Sequence, residues 1–170
     1  MSFVVAPCSP AWPQLFIARR DELRGAFAST PVEIEHIGST AVPGLSAKPV
    51  IDILVGATSL ADIEDRIPAL RDAGYAYVSK HETVIPMRRY FVRSNPDCLR
   101  VHVHGVVRGS DLWNDHLAFR DALRADAALR RRYESLKLEL ARQYAHDKSA
   151  YTDAKGPFIL ETMAALRASR

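Results

Sequence analysis

The sequence predicts an α+β fold, a mixed α/β domain in which helices cover a mixed β-sheet and the C-terminal segment is helical. Strand-like segments alternate with helical ones in the first half of the chain, which favours a layered sheet and helix architecture. From Ser110 onward the apolar residues recur with a helical period instead. The 170 residues contain no internal repeat and no Gly/Ser linker, so one domain spanning 1–170 is expected.

The first predicted helix runs from about Pro10 to Ala28. Ser9 is a suitable N-cap, and proline is favoured at the first helical position because its missing N–H needs no partner there. A strand over Val32 to Ile37 then ends at Gly38.

A second strand is predicted over Val50 to Val55, and it is apolar on both faces apart from Asp52. A helix follows over Ser59 to Ala73, where Ser59 is an N-cap candidate and Gly74 a stop. The buried position of the strand makes Asp52 the unusual residue of this segment.

Three further β segments and a set of helices complete the prediction. The β segments are Tyr75 to Val78, Met87 to Arg93 and Leu99 to Val107. The last two are expected to form an antiparallel hairpin, because Asn95-Pro96-Asp97 supplies turn residues between them. Two helices separated near Asp126, a capping residue, and a final helix from about Pro157 to Ala168 end the chain.

Composition excludes several classes of protein. No apolar run approaches the roughly 18 residues of a membrane span, and the N-terminus lacks the basic flank of a signal peptide, so a cytoplasmic protein without membrane contact is expected. The two cysteines, Cys8 and Cys98, have no metal-binding spacing and are expected to be buried thiols.

The net charge of +3 conceals an uneven distribution. Residues 1–85 contain 7 Lys or Arg and 10 Asp or Glu, whereas residues 86–170 contain 16 and 10. Eighteen of the 23 basic residues are arginine, whose planar guanidinium pairs well with phosphate, although most arginines in such helices are solvated. Dense basic tracts are absent, so nucleic acid is an unexpected partner.

The segment from Gly38 to Asp52 contains the clearest functional pattern. A strand that leaves through Gly38-Ser39-Thr40 offers backbone N–H groups and two hydroxyls to an anion, because glycine allows a ligand close to the main chain. An ionised carboxylate within an apolar strand is costly unless a metal, a cation or water meets it. The pattern predicts phosphate binding at Gly38, Ser39 and Thr40, next to Asp52.

Alternation along the predicted hairpin supplies further site candidates. Arg100, His102 and His104 share one face of their strand, and with Asp52 the two histidines would make a set of two His and one carboxylate for a metal. Histidines that only hydrogen-bond in a polar cleft are an equal alternative.

Basic residues elsewhere extend this set of candidates. Arg89 and Arg93 also share a face and would join Arg100 in a cationic wall for a polyanion if both strands present the same side. Lys48 could reach a phosphate from the start of the Asp52 strand, although a surface lysine is the default expectation. Lys155 either reaches the pocket or only begins the last helix.

The arrangement resembles the nucleotidyltransferase superfamily, in which Gly-Gly or Gly-Ser at a strand end precedes an acidic pair on the next strand. Here twelve residues separate Gly38-Ser39 from Asp52, but Leu54 stands where the second acid is expected. A closer resemblance, covering nearly the whole chain, is to the GrpB family of nucleotidyltransferase-like bacterial proteins. The matching segments are Glu35 to Leu45, Lys48-Pro49, Ile51 to Ile53, Arg89 to Arg93, His102 to His104, Trp113 to Asp121, Tyr133, Leu136-Lys137 and Tyr151 to Lys155.

The resemblance implies a protein that binds a nucleotide or another phosphorylated ligand. Asp52 is then the catalytic carboxylate and holds a divalent ion, Mg²⁺ or Mn²⁺ with Zn²⁺ as a further option, for nucleotidyl or phosphoryl transfer. Two alternatives stay open. One is a non-catalytic module that supports a partner such as dephospho-CoA kinase, an enzyme of coenzyme A biosynthesis, and the other is a His/Asp metal-dependent hydrolase.

Overall fold

A computed structural model describes residues 4–95 and 98–168. Seven α-helices and five strands lie within these residues, with short 3₁₀ turns at Ser39–Ala41 and Ser79–His81. The helices are α1 (Ala11–Phe27), α2 (Leu60–Glu64), α3 (Ile67–Asp72), α4 (Asp111–Ala125), α5 (Ala127–Gln143), α6 (Lys148–Asp153) and α7 (Gly156–Ala168). The strands are β1 (Glu33–Ile37), β2 (Val50–Ala57), β3 (Ala76–Tyr77), β4 (Arg88–Asn95) and β5 (Cys98–Val107).

The strands form one mixed sheet in the order β1-β2-β5-β4-β3. Only the central pair, β2 and β5, is parallel, and it aligns Asp52 with His102 and Leu54 with His104. The predicted α+β class, with helices over a mixed sheet, is therefore confirmed. The hairpin of β4 and β5 is also confirmed, although Pro96 and Asp97 of its expected turn lie outside the described residues.

One face of the sheet packs on α1, α2 and α3 and contains most of the core. Ile51, Ile53 and Val103 on this face are at most 1% exposed, and Phe91 of β4 joins them. Burial of this apolar surface is the main stabilising contribution, about 25 cal/mol per Å² removed from water.

The opposite face is covered by α4 at one end only. There Leu54 and Val106 pack against Trp113, and Gly56 lies so close that an added Cβ would be 2.6 Å from the Trp113 ring. Asp52, two residues before Leu54, lies beyond this contact, so the uncovered part of the face becomes the floor of a cleft.

Two expectations from the sequence are wrong in detail. The helix predicted over Ser59 to Ala73 is divided into α2 and α3, because Pro68 occupies the first turn of α3 and has no N–H for Glu64, four residues earlier. Cys8 and Cys98 are exposed, not buried.

Other local predictions are confirmed. Ser59 forms a reciprocal capping box with Asp62, Asp126 accepts from the first N–H groups of α5, and Gly74 follows α3 with φ +87°. Among the described helices, none is long and apolar enough to cross a membrane.

Candidate functional site

Gly38 positions the loop that begins the site. Its φ of +72° is a left-handed conformation that favours glycine, and an added Cβ would lie 2.6 Å from Oδ2 of Asp52. Both the backbone conformation and the close approach therefore require glycine, and the loop containing Ser39 is held directly against Asp52.

Thr40, predicted to bind phosphate, is instead occupied within the fold. Its hydroxyl donates to the Val50 carbonyl at 3.0 Å and lies 3.1 Å from Nε2 of His36. Because a hydroxyl has one hydrogen, His36 Nε2–H must be the donor in the second bond. Thr40 therefore has no hydroxyl hydrogen left for a phosphate, and the expected contact through its side chain is corrected.

His36 is a buried residue of this loop. It is 7% exposed and stacks on Phe16, with ring centroids 4.7 Å apart and planes 6° from parallel. Burial lowers the pKa of His36 to about 4, which outweighs the opposing charge of Asp52. His36 is thus a neutral, structural hydrogen-bond donor at neutral pH.

Asp52 faces His102 and His104 on the neighbouring strand. Its Oδ1 lies 3.2 Å from His102 Nδ1 and 3.6 Å from His104 Nε2, and its side chain is 27% exposed. Burial favours the neutral form of Asp52, but hydrogen bonds and charge from the two histidines outweigh this and lower its pKa. The carboxylate is therefore ionised and orients both imidazole rings.

The arginines of β4 do not lie where the sequence predicted them. Arg89 pairs with Gly105 and Arg93 with Val101, which places both on the helix-covered face. Arg89 forms ion pairs with Glu64 and Glu82, and Arg93 forms one with Glu22. The expected cationic wall containing Arg89 and Arg93 is wrong, because the pairing register reverses which face of β4 lies beside His102.

The cleft face of β4 instead presents Arg88 and Tyr90. Tyr90 pairs with His104, and its ring is 5.2 Å from the His104 ring and 5.5 Å from the His102 ring. Arg100 of β5 lines the same floor. Sequence alternation predicts either Arg88 or Arg89 on this face, and only the register distinguishes them.

Helical segments supply lysines to the opposite wall. Lys137 of α5 is 2% exposed, donates to the Ser46 carbonyl and lies 5.0 Å from the centroid of the Tyr133 ring. Burial lowers the pKa of Lys137 to about 7. No role at the site was expected for Lys137 from the sequence, although a lysine within the apolar stripe of Tyr133 and Leu140 is a recognisable anomaly.

Two more lysines flank Tyr151 of α6. The Nζ atoms of Lys48 and Lys155 lie 5.9 and 4.5 Å from the centroid of its ring. Burial lowers the pKa of Lys48 to about 8, and burial also lowers the pKa of Lys155. Of the two expectations for Lys155, the structure favours the one in which it reaches the cleft.

These walls enclose a cleft of about 840 Å³ whose charge is strongly unbalanced. Seven lysine or arginine side chains line it, against one carboxylate, Asp52. The basic residues are Lys48, Lys80, Arg88, Arg100, Lys137, Lys148 and Lys155. Such a surface attracts polyanions and suits phosphate groups in particular.

The donor set does not suit a pair of metal ions. Within residues 4–95 and 98–168, no group of three or more His, Cys, Asp or Glu side chains is arranged to hold a metal. Leu54, at the position of the second acid, is 0% exposed and belongs to the core beneath Trp113. Two-ion displacement needs carboxylates that bridge or bind both ions, and among the described residues that line the cleft Asp52 is the one carboxylate.

Comparison with known sequences identifies close relatives. The family model described as "GrpB protein" matches residues 2–165. The glutamate-rich protein GrpB of Alkalihalophilus pseudofirmus is 36% identical over 159 residues, which cover 91% of this chain and 90% of that protein. A dephospho-CoA kinase of Mycolicibacterium paratuberculosis is 28% identical over 177 residues, covering 91% of this chain but 44% of the kinase.

Solved structures show the same fold. The crystal structure of GrpB from Enterococcus faecalis matches with a TM-score of 0.83 and 31% identity over 93% of each chain. The Cid1 poly(U) polymerase with Mg 3′-dATP bound matches with a TM-score of 0.59 and 15% identity, over 87% of this chain and 49% of the polymerase. At that identity the second match shows a nucleotidyltransferase-like fold and nothing further.

Proposed function

The chain belongs to the GrpB family, and from the chemistry of its cleft we propose that it binds a nucleotide or a similar phosphorylated small molecule. The observation that carries this proposal is the charge of the cleft of about 840 Å³, whose described lining contains seven basic side chains and one carboxylate. Pockets of this size commonly hold small-molecule ligands.

The phosphates of the ligand lie at the end of the cleft formed by Ser39, Lys48 and Lys155. Ser39 lines the cleft directly after a glycine that allows close approach to the main chain, and its hydroxyl is hydrogen-bonded to the buried Tyr133. Burial lowers the pKa of Lys48 to about 8 and also lowers the pKa of Lys155, and a bound phosphate would favour the charged forms of both lysines.

Asp52 is suited to one divalent ion in company with the ligand. Magnesium commonly binds one or two carboxylates and takes its other ligands from phosphates and water, which matches the single acid here. Such an ion would neutralise phosphate charge next to Asp52. Because the described lining of the cleft contains no second carboxylate, we propose ligand binding and do not extend the proposal to transfer chemistry.

A thermal-unfolding assay of the full chain tests the proposal. ATP, UTP and inorganic pyrophosphate are added in turn, each with and without Mg²⁺, Mn²⁺ or Zn²⁺. A ligand at about a hundred times its dissociation constant stabilises the folded chain by about 2.7 kcal/mol, which raises the Tm by several degrees.

Two variants show whether the cleft is responsible for that stabilisation. The double variant Lys48→Met/Lys155→Met is expected to lose it, whereas Arg131→Met, at an exposed position of α5, should retain it. Absence of any Tm change with all three compounds at millimolar concentration would contradict ligand binding.

Similarity to the dephospho-CoA kinase favours a second candidate, a module that supports such a kinase. The chain matches less than half of that kinase, which is consistent with a domain that works beside a kinase domain. Size-exclusion chromatography of this chain mixed with a purified dephospho-CoA kinase tests it. Co-elution together with no Tm response to nucleotides would favour this candidate over the first.

A further inference from the structure

Three buried side-chain nitrogens of the cleft floor have no hydrogen-bond partner among the described residues. They are Nε of Arg88, Nε2 of His102 and Nδ1 of His104. Buried polar groups in folded proteins are nearly always paired, so a cluster of exceptions marks a place where a ligand or water completes the bonding. All three residues line the same cleft.

Arg88 is the charged member of this cluster. In the described part of the chain its guanidinium forms no ion pair and no side-chain hydrogen bond, and it lies 5.1 Å from the centroid of the Tyr90 ring. Burial lowers the pKa of Arg88, which reflects how little its surroundings compensate the charge. His104 and His116, which flank it, supply no negative charge.

The neighbouring arginines of β4 provide an internal comparison. Arg89 has Glu64 and Glu82 as partners, and Arg93 has Glu22. An arginine with a purely structural role ordinarily has such partners, since an unpaired buried charge lowers stability. Among the described residues no carboxylate is paired with the half-buried Arg88, so a bound anion would supply the opposite charge that Arg89 and Arg93 already have.

We propose that Arg88 forms an anion subsite of its own, which receives a phosphate or carboxylate group of the molecule that fills the cleft. The planar guanidinium offers a fork of N–H donors to two oxygens of such a group. The Tyr90 ring supports the guanidinium from one side and limits its rotation. This inference rests on the proposed function, because it requires that the cleft is a ligand site.

The position of Arg88 also indicates the chemical class of the ligand. Arg88 of β4 pairs with Val106 of β5. Arg100 lies six residues before Val106 on β5, where it pairs with Val50 of β2 and is close to Lys48. At about 3.3 Å per residue, roughly 20 Å separates these two ends of the floor. The ligand, or two ligands bound together, therefore has anionic groups on both sides of Asp52.

Arginine side-chain NMR on the full-length chain tests the subsite directly. The Nε–H resonance of Arg88 is assigned by its loss in Arg88→Met, and Arg89→Met identifies the paired neighbour as a control. Titration with inorganic phosphate and, separately, with malonate is expected to shift the Arg88 resonance and leave that of Arg89 in place. Phosphate alone causing the shift assigns the subsite to phosphate, and malonate alone assigns it to carboxylate.

Thermal unfolding supplies the second readout. Arg88→Met should unfold at the same or a higher Tm than the native chain without ligand, because it removes an uncompensated charge, and should bind the effective anion at least tenfold more weakly. A fall in Tm larger than that of Arg89→Met would show a structural role and overturn the inference.

The two proposals fail in different ways. If ATP raises the Tm of the native chain but neither anion moves the Arg88 resonance, the Arg88 subsite is wrong and nucleotide binding stands. If an anion moves the resonance but no nucleotide or pyrophosphate alters the Tm, the subsite stands and the proposed phosphate end of the cleft is wrong.

Discussion

Gly38 and Asp52 are packed so closely that a methyl group on Gly38 would lie 2.6 Å from Oδ2 of the carboxylate. The loop after β1 and the acid on β2 therefore cannot change independently. A side chain at position 38 must displace Asp52 from His102 and His104, or move the loop away from the cleft.

Gly38→Ala is expected to lower the free energy of unfolding by clearly more than Gly44→Ala. Both glycines have positive φ, at +72° and +78°, but only open space surrounds Gly44. Gly44→Ala should therefore cost only the backbone strain of about 1 kcal/mol, and Gly38→Ala that amount plus a clash. Urea unfolding measures both, and equal losses would show that the contact with Asp52 is unimportant.

Asp52→Asn should strengthen ATP binding when no metal is present and should remove the gain in ATP affinity that Mg²⁺ gives. In the absence of divalent ions, removal of the one carboxylate among the described lining residues strengthens ATP binding by about 1 kcal/mol, roughly fivefold, through reduced repulsion. With Mg²⁺ present, the variant should gain nothing further from the ion. Calorimetric titrations of ATP measure this, and a native-like gain from Mg²⁺ in the variant would contradict a metal role for Asp52.

Thr40→Val is expected to reduce stability and leave ligand affinity little changed. The substitution deprives the Val50 carbonyl of a donor and His36 of an acceptor, a loss of about 1–3 kcal/mol when buried groups are left unpaired. Thr40→Ser retains the hydroxyl and should recover most of the loss. Ser39→Ala, in contrast, is expected to weaken ATP binding, together with some loss of stability because the buried Tyr133 loses its hydrogen bond with the Ser39 hydroxyl.

His36 should make the protein less stable as the pH falls. Its pKa is about 4 in the folded chain and near 6.5 when unfolded, so between these values the unfolded chain binds the extra proton. Stability from this group is complete above pH 6.5 and declines by about 1.4 kcal/mol per pH unit below it. The negative charge of Asp52 raises the pKa of His36, and the positive charges of Arg124 and Arg120 lower it, but burial has the largest effect.

His36→Gln keeps a donor for Thr40 but cannot titrate, so the variant is the matched comparison. Between pH 6.5 and 5 the native chain should lose about 1.6 kcal/mol more than the variant in urea unfolding. The difference between the two proteins should stay constant from pH 7 to 8. Parallel curves across the acidic range would contradict a buried, neutral His36.

Local chemistry explains which parts of this fold could be predicted from the sequence. The capping residues Ser59 and Asp126, the stop at Gly74 and the β4–β5 hairpin depend on neighbours in sequence, and each is present. The Gly38 and Asp52 pattern also depends on a short segment, and its two ends do meet.

The face on which the arginines of β4 lie could not be predicted from the sequence. Alternation groups Arg89 with Arg93 correctly, but whether that group lies beside His102 depends on the hairpin register. The β4–β5 pairing changes register between Arg93 and Asn95. A shift of one residue exchanges the two faces of a strand, and no local pattern reports it.

The lysine wall could not be predicted for a different reason. Lys137 and Lys155 reach the cleft because α5 and α7 pack with α4 on the loop between β1 and β2, and helix docking is a property of the whole core. A single lysine within the apolar stripe of Tyr133 and Leu140 is unusual, but the stripe does not indicate which part of the fold the lysine side chain reaches.

The parallel pairing of β2 with β5 also has a consequence for how the chain acquires its cleft during synthesis. Asp52 and His102 are 50 residues apart, and Lys155 emerges from the ribosome a further 53 residues later. Contacts of such long sequence separation form slowly, because the loop between them must close first. Nascent chains that end before β5 lack the centre of the sheet, so the cleft cannot form before β5 and the segment containing Lys155 have been synthesised.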